Sequence, residues 1–230
     1  MSKPKIKIVL FDVDGVLLDS LTPHLKICED KSKEYGLDLA IPDASEFKGM
    51  VRRGILISPM KYFFLAVGFP EELAERANLE YQKIFMEKYA PAPFPCVNRT
   101  LSKLHDAGFK MGIVTSNVMA NVVEALGENM NYFHPECIYS KDNMSGASKS
   151  DAIISSMNKL EASPAETIYV GDQPADWKEA QKAGVNFLGV SYGWGISDAD
   201  EPFETVGKVS DIYQYILKLS NSESNIGMTA

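Results

Sequence analysis

The sequence predicts an α/β protein with a doubly wound parallel sheet and an inserted helical domain. Three observations carry this. Short apolar segments rich in β-formers recur along the chain, a helix-like stretch precedes each one after the first, and the interval from about 16 to 92 breaks that rhythm with helices alone.

The first segment, Ile6-Lys-Ile-Val-Leu-Phe11, reads as a strand buried on both faces. It runs directly into Asp12-Val-Asp-Gly15. Further strands are expected at Lys110–Thr115, Cys137–Tyr139, Thr167–Gly171 and Val185–Val190. Helices are expected at about 98–107, with Leu101 and Leu104 on one face, and at about 117–126, 149–160 and 174–183, with Ala180 and Ala183 close to the sheet. In such a fold the site lies at the carboxyl ends of the strands.

Between residues 16 and 92 the apolar patterns are helical, as in Leu73, Ala77, Tyr81, Ile84 and Phe85. Ala90-Pro-Ala-Pro-Phe-Pro95 is a stiff, helix-breaking return to the core. The expected division is therefore a core of 1–15 and 93–220, a helical insertion of 16–92, and a frayed tail at 221–230. No internal repeat is present.

The chain has 230 residues, 45% of them hydrophobic and 23% charged, a balance that fits a folded globular protein rather than a disordered one. A net charge of −8 gives no general attraction for a nucleic-acid backbone, so nucleic acid is not an expected partner. Cys28, Cys96 and Cys137 are odd in number, far apart and in no CxxC pair, and are expected to be reduced packing residues. The early lysines are followed too soon by Asp12 and Asp14 for a signal-peptide core, and no apolar run would span a membrane. A cytoplasmic protein is expected.

The chemistry concentrates in carboxylates. Asp12 and Asp14 are two apart at a strand end, and period-two geometry would turn both to one side. Gly171-Asp172-Gln-Pro-Ala-Asp176 ends another strand. Four carboxylates converging on one sheet edge would repel one another unless a cation lay among them, and an all-oxygen set suits Mg²⁺.

These motifs carry a specific resemblance. Asp12-Val-Asp-Gly-Val-Leu-Leu-Asp-Ser20 resembles the first motif of the haloacid dehalogenase superfamily in its phosphatase branch. Thr115 in Gly-Ile-Val-Thr-Ser-Asn117 resembles the second, Lys149 the third, and Asp172 with Asp176 the fourth. Val190-Ser-Tyr-Gly-Trp-Gly195 resembles the strand end and loop that follow. The helical insertion resembles the family's first-type cap, and the whole is similar to phosphoglycolate phosphatases and β-phosphoglucomutases.

The resemblance implies a Mg²⁺-dependent phosphatase for a small phosphate ester. Asp12 would be the nucleophile and Asp14 the acid and base. Thr115, Ser116, Asn117 and Lys149 would bind the phosphoryl group, Asp12, Asp14 (through its backbone carbonyl) and Asp172 would serve the metal, and Asp176 would support the metal or Lys149. An aspartate at 14 excludes the dehalogenase and phosphonatase branches. A phosphomutase would share every core residue, and a non-catalytic phosphate-binding protein would be expected to lack one of Asp12, Asp14 or Asp172.

Two departures stand out: Lys149 is followed by serine where the family usually has proline, with Lys141 as a competitor, and Gln173 replaces a small hydroxyl residue. In the insertion, Phe47-Lys-Gly-Met-Val-Arg-Arg-Gly54 resembles the cap loop that reaches the core site, with Lys48, Gly49 and Arg52 matching best. A guanidinium there could hold a second anionic group of the substrate. His24, His105 and His134 fall in no ligand spacing and read as structural or solvated.

Overall fold

The computed structural model describes residues 5–197 and 201–221. The chain opens with strand β1 (Ile8–Phe11), a two-residue strand β2 (Leu18–Asp19), and helices α1 (Leu21–Glu34), α2 (Ala44–Arg52), α3 (Met60–Ala66) and α4 (Glu71–Tyr89). Then come β3 (Ala92–Pro93), α5 (Val97–Asp106), β4 (Lys110–Val114), α6 (Met119–Leu126), β5 (Ile138–Tyr139) and α7 (Lys141–Met144). The chain continues through α8 (Lys149–Lys159), β6 (Thr167–Gly171), α9 (Pro174–Ala183), β7 (Asn186–Val190), β8 (Thr205–Val206) and α10 (Val209–Asn221).

Six strands form one sheet in the order β5-β4-β1-β6-β7-β8, and every neighbouring pair is parallel. Alternation along β1 shows why both faces need helices. Val9 and Phe11 enter one core with Leu101 and Leu104 of α5, while Ile8 and Leu10 enter the other with Ile153 of α8 and Ala180 of α9. Each such fully buried large side chain contributes about 1.5–3 kcal/mol. The chain winds outward from β1 through β4 to β5 and then returns to β1's other side with β6. In open α/β sheets a reversal of this kind is where ligand sites lie, at the carboxyl ends of the strands.

Helices α1 to α4 share a separate apolar cluster that includes Ile27, Phe47, Phe63, Phe64 and Ala77. Where the chain leaves and re-enters the sheet, β2 and β3 pair antiparallel, Leu18 opposite Pro93. This pair was not expected, since two residues and a proline give no periodic signal. The edge strand β8 escaped for the same reason.

Cys28 and Cys137 are buried and Cys96 is exposed; all three are free. Cys96 thus departs from the packing role expected of it, because it occupies a left-handed turn (φ 71°) leading into α5. Of the tail expected at 221–230, Asn221 ends α10 and the rest lies outside the described residues.

Candidate active site

The carboxyl ends of β1 and β6 bring the two acidic motifs together. Phe11 is in register with Val170, and the Asp12 N–H donates to the Val170 carbonyl at 2.9 Å, so Asp12 emerges beside Gly171 and Asp172. Ligand oxygens of Asp12, Asp172 and Asp176 all lie within 4.8 Å of one another, and all three residues are buried.

Asp14, expected as a fourth member of this convergence, stands outside the trio. β1 ends at Phe11, and the N–H groups of Val16, Leu17 and Leu18 all turn back to the Val13 carbonyl. Strand periodicity therefore does not extend to residue 14. Asp14 Oδ2 instead accepts from Asn117 Nδ2 at 2.9 Å, and its other oxygen is buried with no hydrogen-bond partner. Gly15 permits the exit with a φ of 76°.

Lys149 lies across the trio. Its ammonium donates to Asp12 Oδ2 at 2.6 Å and to Asp176 Oδ1 at 2.8 Å. Ser148 and Asp151 form a reciprocal capping box that fixes the start of α8, with Lys149 as its first residue. The serine that follows gives its backbone N–H to Glu179 Oε2 at 3.0 Å, a bond proline cannot make. Lys141, by contrast, is exposed at the start of α7.

Asp176 braces the site. Its Oδ2 accepts the N–H groups of Asp172 and Gln173 at 3.2 and 3.1 Å, and its Oδ1 also accepts from the Tyr169 hydroxyl at 3.4 Å. Gln173 is the N-cap of α9, and Asp176 at the third helical position accepts its backbone N–H, the return half of a capping box. Thr115 is buried just beyond β4, and its hydroxyl accepts the Asn117 N–H at 3.3 Å. Ser116 is exposed.

Burial pushes the Asp12 carboxyl up to about 6, against the pull of Lys149 and with Asp176 adding to the rise. Asp172 is driven well above the usual carboxylate range by burial, then by the charges of Asp176 and Asp12. Burial works to discharge Lys149, but Asp12 and Asp176 outweigh it and hold the ammonium well above its ordinary value. One cation for three carboxylates leaves an excess of negative charge, and Asp172 Oδ1 is buried with no hydrogen-bond partner. The residues present fit a hard divalent cation.

The insertion reaches this edge through α2, so Lys48, Gly49 and Arg52, expected on a loop, lie on a helix that the Asp43–Glu46 capping box starts and that ends at Arg52. Lys48 Nζ donates to the Tyr192 carbonyl at 3.0 Å. Desolvation lowers its pKa; Asp172 and Asp19 oppose that, and Arg52 adds to it, which sets Arg52 in the electrostatic neighbourhood of Lys48. Arg52 and Arg53 are both exposed, while Gly49 is half-buried, with Arg53 Nη1 3.4 Å from where a Cβ would sit.

Of the two settings open to His24, structural or solvated, it takes the first. The ring is buried among Phe63, Tyr81, Phe85 and Trp194, shares a hydrogen bond of 3.1 Å with the Tyr81 hydroxyl, and bonds the Ser20 carbonyl through Nδ1. Burial lowers its pKa while the charge of Asp14 works against that.

One contributor was given no role from sequence: the loop after β7, where the Trp194 N–H donates to Asp172 Oδ2 at 2.6 Å. The signal available was the pair of glycines flanking Trp194. A Cβ on Gly193 would lie 2.3 Å from Asp172 Cβ, and one on Gly195 would lie 2.7 Å from Val51 Cγ1.

Residues 9–190 match the family model described as haloacid dehalogenase-like hydrolase. A phosphoglycolate phosphatase of Vibrio vulnificus is 26% identical over 94% of this chain and 99% of its own length. An N-acetylmuramic acid 6-phosphate phosphatase of Pseudomonas aeruginosa is 25% identical over 88% of each chain. A haloacid dehalogenase-like hydrolase from Streptococcus pneumoniae shares the fold with a TM-score of 0.72, at 23% identity, over 91% of this chain and 98% of its own. No helix among the described residues is long and apolar enough to cross a membrane. The buried aspartates on adjoining strand ends, the lysine between them and the extent of the family match together place the chain in the haloacid dehalogenase-like hydrolase family, with its sequence similarity directed to that family's phosphatases.

Proposed function

We propose that this protein is a Mg²⁺-dependent phosphomonoester hydrolase acting on a small phosphate ester of the sugar-phosphate or phosphoglycolate type. The observation that carries the reading is Asp12, buried at a strand end with an ammonium 2.6 Å from one oxygen and two further carboxylates beside it. That environment binds a phosphoryl group and excludes bulk water while leaving an anionic oxygen to attack.

In this reading Asp12 attacks phosphorus in line: an oxygen–phosphorus bond forms to its carboxylate as the ester bond to the leaving oxygen breaks. Asp14 gives that oxygen a proton from Oδ1, the oxygen that Asn117 does not hold. Water then attacks phosphorus as Asp14 takes its proton, and the oxygen–phosphorus bond to Asp12 breaks, which releases phosphate and restores the carboxylate. Thr115, Ser116 and Lys149 hold the phosphoryl oxygens, and Asn117 orients Asp14. Asp12 and Asp172, with the Asp14 carbonyl, would hold Mg²⁺, while Asp176 fixes Lys149 and the turn at Asp172. When bound, the ion supplies charge neutralisation for the attacking carboxylate and the phosphate.

Residues 16–92 act as a cap domain that opens and closes over a core of 1–15 and 93–220, with Lys48, Gly49 and Arg52 of α2 on its substrate-facing side. The substrates in the names of the curated relatives are small phosphate esters, which supports the substrate class. We read the enzyme as cytoplasmic, where its three free thiols would stay reduced.

The test is phosphate release by the purified protein from a panel of sugar phosphates, phosphoglycolate and nucleotides, with Mg²⁺ and with EDTA. The expected result is Mg²⁺-dependent hydrolysis that EDTA silences, with free phosphate rather than an isomeric phosphate ester as product. Full activity without metal, or none on any ester, rejects the reading.

A further inference from the structure

The loop after β7 is gripped from two sides. On the sheet side, three of its N–H groups bind Asp172: Trp194 on Oδ2 at 2.6 Å, and Gly195 and Ile196 on the main-chain carbonyl at 3.1 and 2.9 Å. On the helical side, α2 holds it twice. Lys48 donates to the Tyr192 carbonyl, and Val51 Cγ1 lies 2.7 Å from where a Cβ on Gly195 would sit.

Trp194 joins the two grips in one residue. Its ring meets His24 and Phe63 edge-on, with centroids 5.2 and 5.8 Å away and planes at 70° in both cases. Every other member of that buried cluster, among the described residues, belongs to 21–77. The ring's Cδ1 edge also abuts the Asp14-Gly15 turn, at 2.7 Å from a Cβ built on Gly15. The indole is thus boxed in and cannot change rotamer without leaving its packing.

We infer that Trp194 is a positioning residue that couples closure of the helical segment to the orientation of the Asp172 carboxylate, and through it to divalent-cation affinity. This rests on the reading of Asp172 as a metal ligand and of residues 16–92 as a mobile cap. When the segment swings away, either Trp194 follows its aromatic partners and its N–H leaves Asp172 Oδ2, or the ring is stripped of packing. In the closed arrangement Oδ2 is held by that N–H, so Oδ1, which has no hydrogen-bond partner, is the oxygen aimed at a cation. Coupling of this kind is reciprocal: cation binding favours closure by the factor by which closure favours cation binding. It would keep an open, water-filled site from holding a fully formed metal centre.

The test is isothermal titration of the full-length protein with Mg²⁺ alone, comparing wild type with Trp194→Leu and Val51→Ala. Trp194→Leu loses the aromatic grip but keeps the backbone N–H; Val51→Ala loosens α2 on the loop and leaves Trp194 in place. Both should bind Mg²⁺ more weakly, Trp194→Leu by about fivefold or more. With p-nitrophenyl phosphate, the lowered kcat of either variant at limiting Mg²⁺ should recover at excess Mg²⁺ with KM little changed, which a purely structural role would not produce. If Trp194→Leu does not fold, Val51→Ala decides alone. Unchanged Mg²⁺ affinity in the folded variants overturns the coupling and leaves the hydrolase reading standing; no Mg²⁺ uptake by the wild type overturns both.

Discussion

Lys149 and Asp12 lie 137 positions apart in the sequence and meet with Nζ 2.6 Å from Oδ2. Because only a cation touching the phosphoryl group is felt strongly in the transition state, Lys149→Ala should lower kcat by about a hundredfold or more. Lys141→Ala, at an exposed helix start, should leave kcat near wild type. Steady-state phosphate release decides, and equal losses would remove Lys149 from the chemistry.

Asp12→Asn keeps the side-chain shape and loses the anionic nucleophile. Turnover should fall below about a thousandth of wild type, with the circular dichroism spectrum retained. Near-normal turnover in protein checked for deamidation by mass spectrometry would end the covalent mechanism.

Gly193→Ala tests the packing beneath Asp172. The added methyl would sit 2.3 Å from Asp172 Cβ and 2.5 Å from the Gly15 carbonyl oxygen, and backbone cannot step aside as a flexible side chain would. The expected loss is about 1–3 kcal/mol in urea unfolding, with hydrolysis reduced as Asp172 shifts. A variant of wild-type stability and activity would show that the loop is far more pliable than these contacts imply.

The helical insertion has its own pH dependence. The buried Lys31 ammonium is paired with Glu34 and Glu80, and Glu80 also accepts from Arg76 and Tyr35. Lys31 foremost, with Arg76 and Tyr35, depresses Glu80 to about 2 from its ordinary 4.5. A carboxyl with a lowered folded-state pKa contributes stability that is complete above 4.5 and disappears as pH falls towards 2. Glu80→Gln should therefore cost about 1–2 kcal/mol at pH 7. The difference from wild type should shrink as pH is lowered from about 4.5 towards 2. Urea unfolding across that range checks it, and a pH-independent difference would assign the cost to packing instead.

Arg52→Ala should lower kcat/KM for the true substrate while hardly affecting p-nitrophenyl phosphate, if the exposed guanidinium binds a remote anionic group and helps hold the cap closed. Equal losses on both would place Arg52 in cap folding or core chemistry. No loss on either would leave substrate choice to other residues.

Much of this protein is legible in its sequence, because the signals are local. Ile8–Phe11 alternates between two cores, so it reads as a doubly covered strand whichever partners it finds. The helix break ahead of Pro91 is equally local: α4 stops at Tyr89, where the proline-rich return begins. Asp12, Asp172 and Asp176 could be chosen because they fall at strand ends and the helix start that follows, whose types the neighbouring residues dictate, whereas Lys149 was chosen through the family resemblance. The two-residue strands β2, β3 and β8 have no period to read and no apolar β-forming run of the kind that marks the equally short β5 at Cys137-Ile-Tyr139.

What the sequence by itself determined was the order of elements and the residue types delivered to one sheet edge, since backbone propensity and apolar periodicity act within a few residues. Only the tertiary structure decided which of those groups meet. The turn after β1 sends Asp14 to Asn117 rather than into the carboxylate trio; the aromatic box around His24 settles a setting that spacing left open; and Trp194, one residue of a glycine-flanked loop, ends between Asp172 and the helical cluster. Each of these depends on contacts between segments far apart in the chain, which packing and buried charge select and no local pattern encodes.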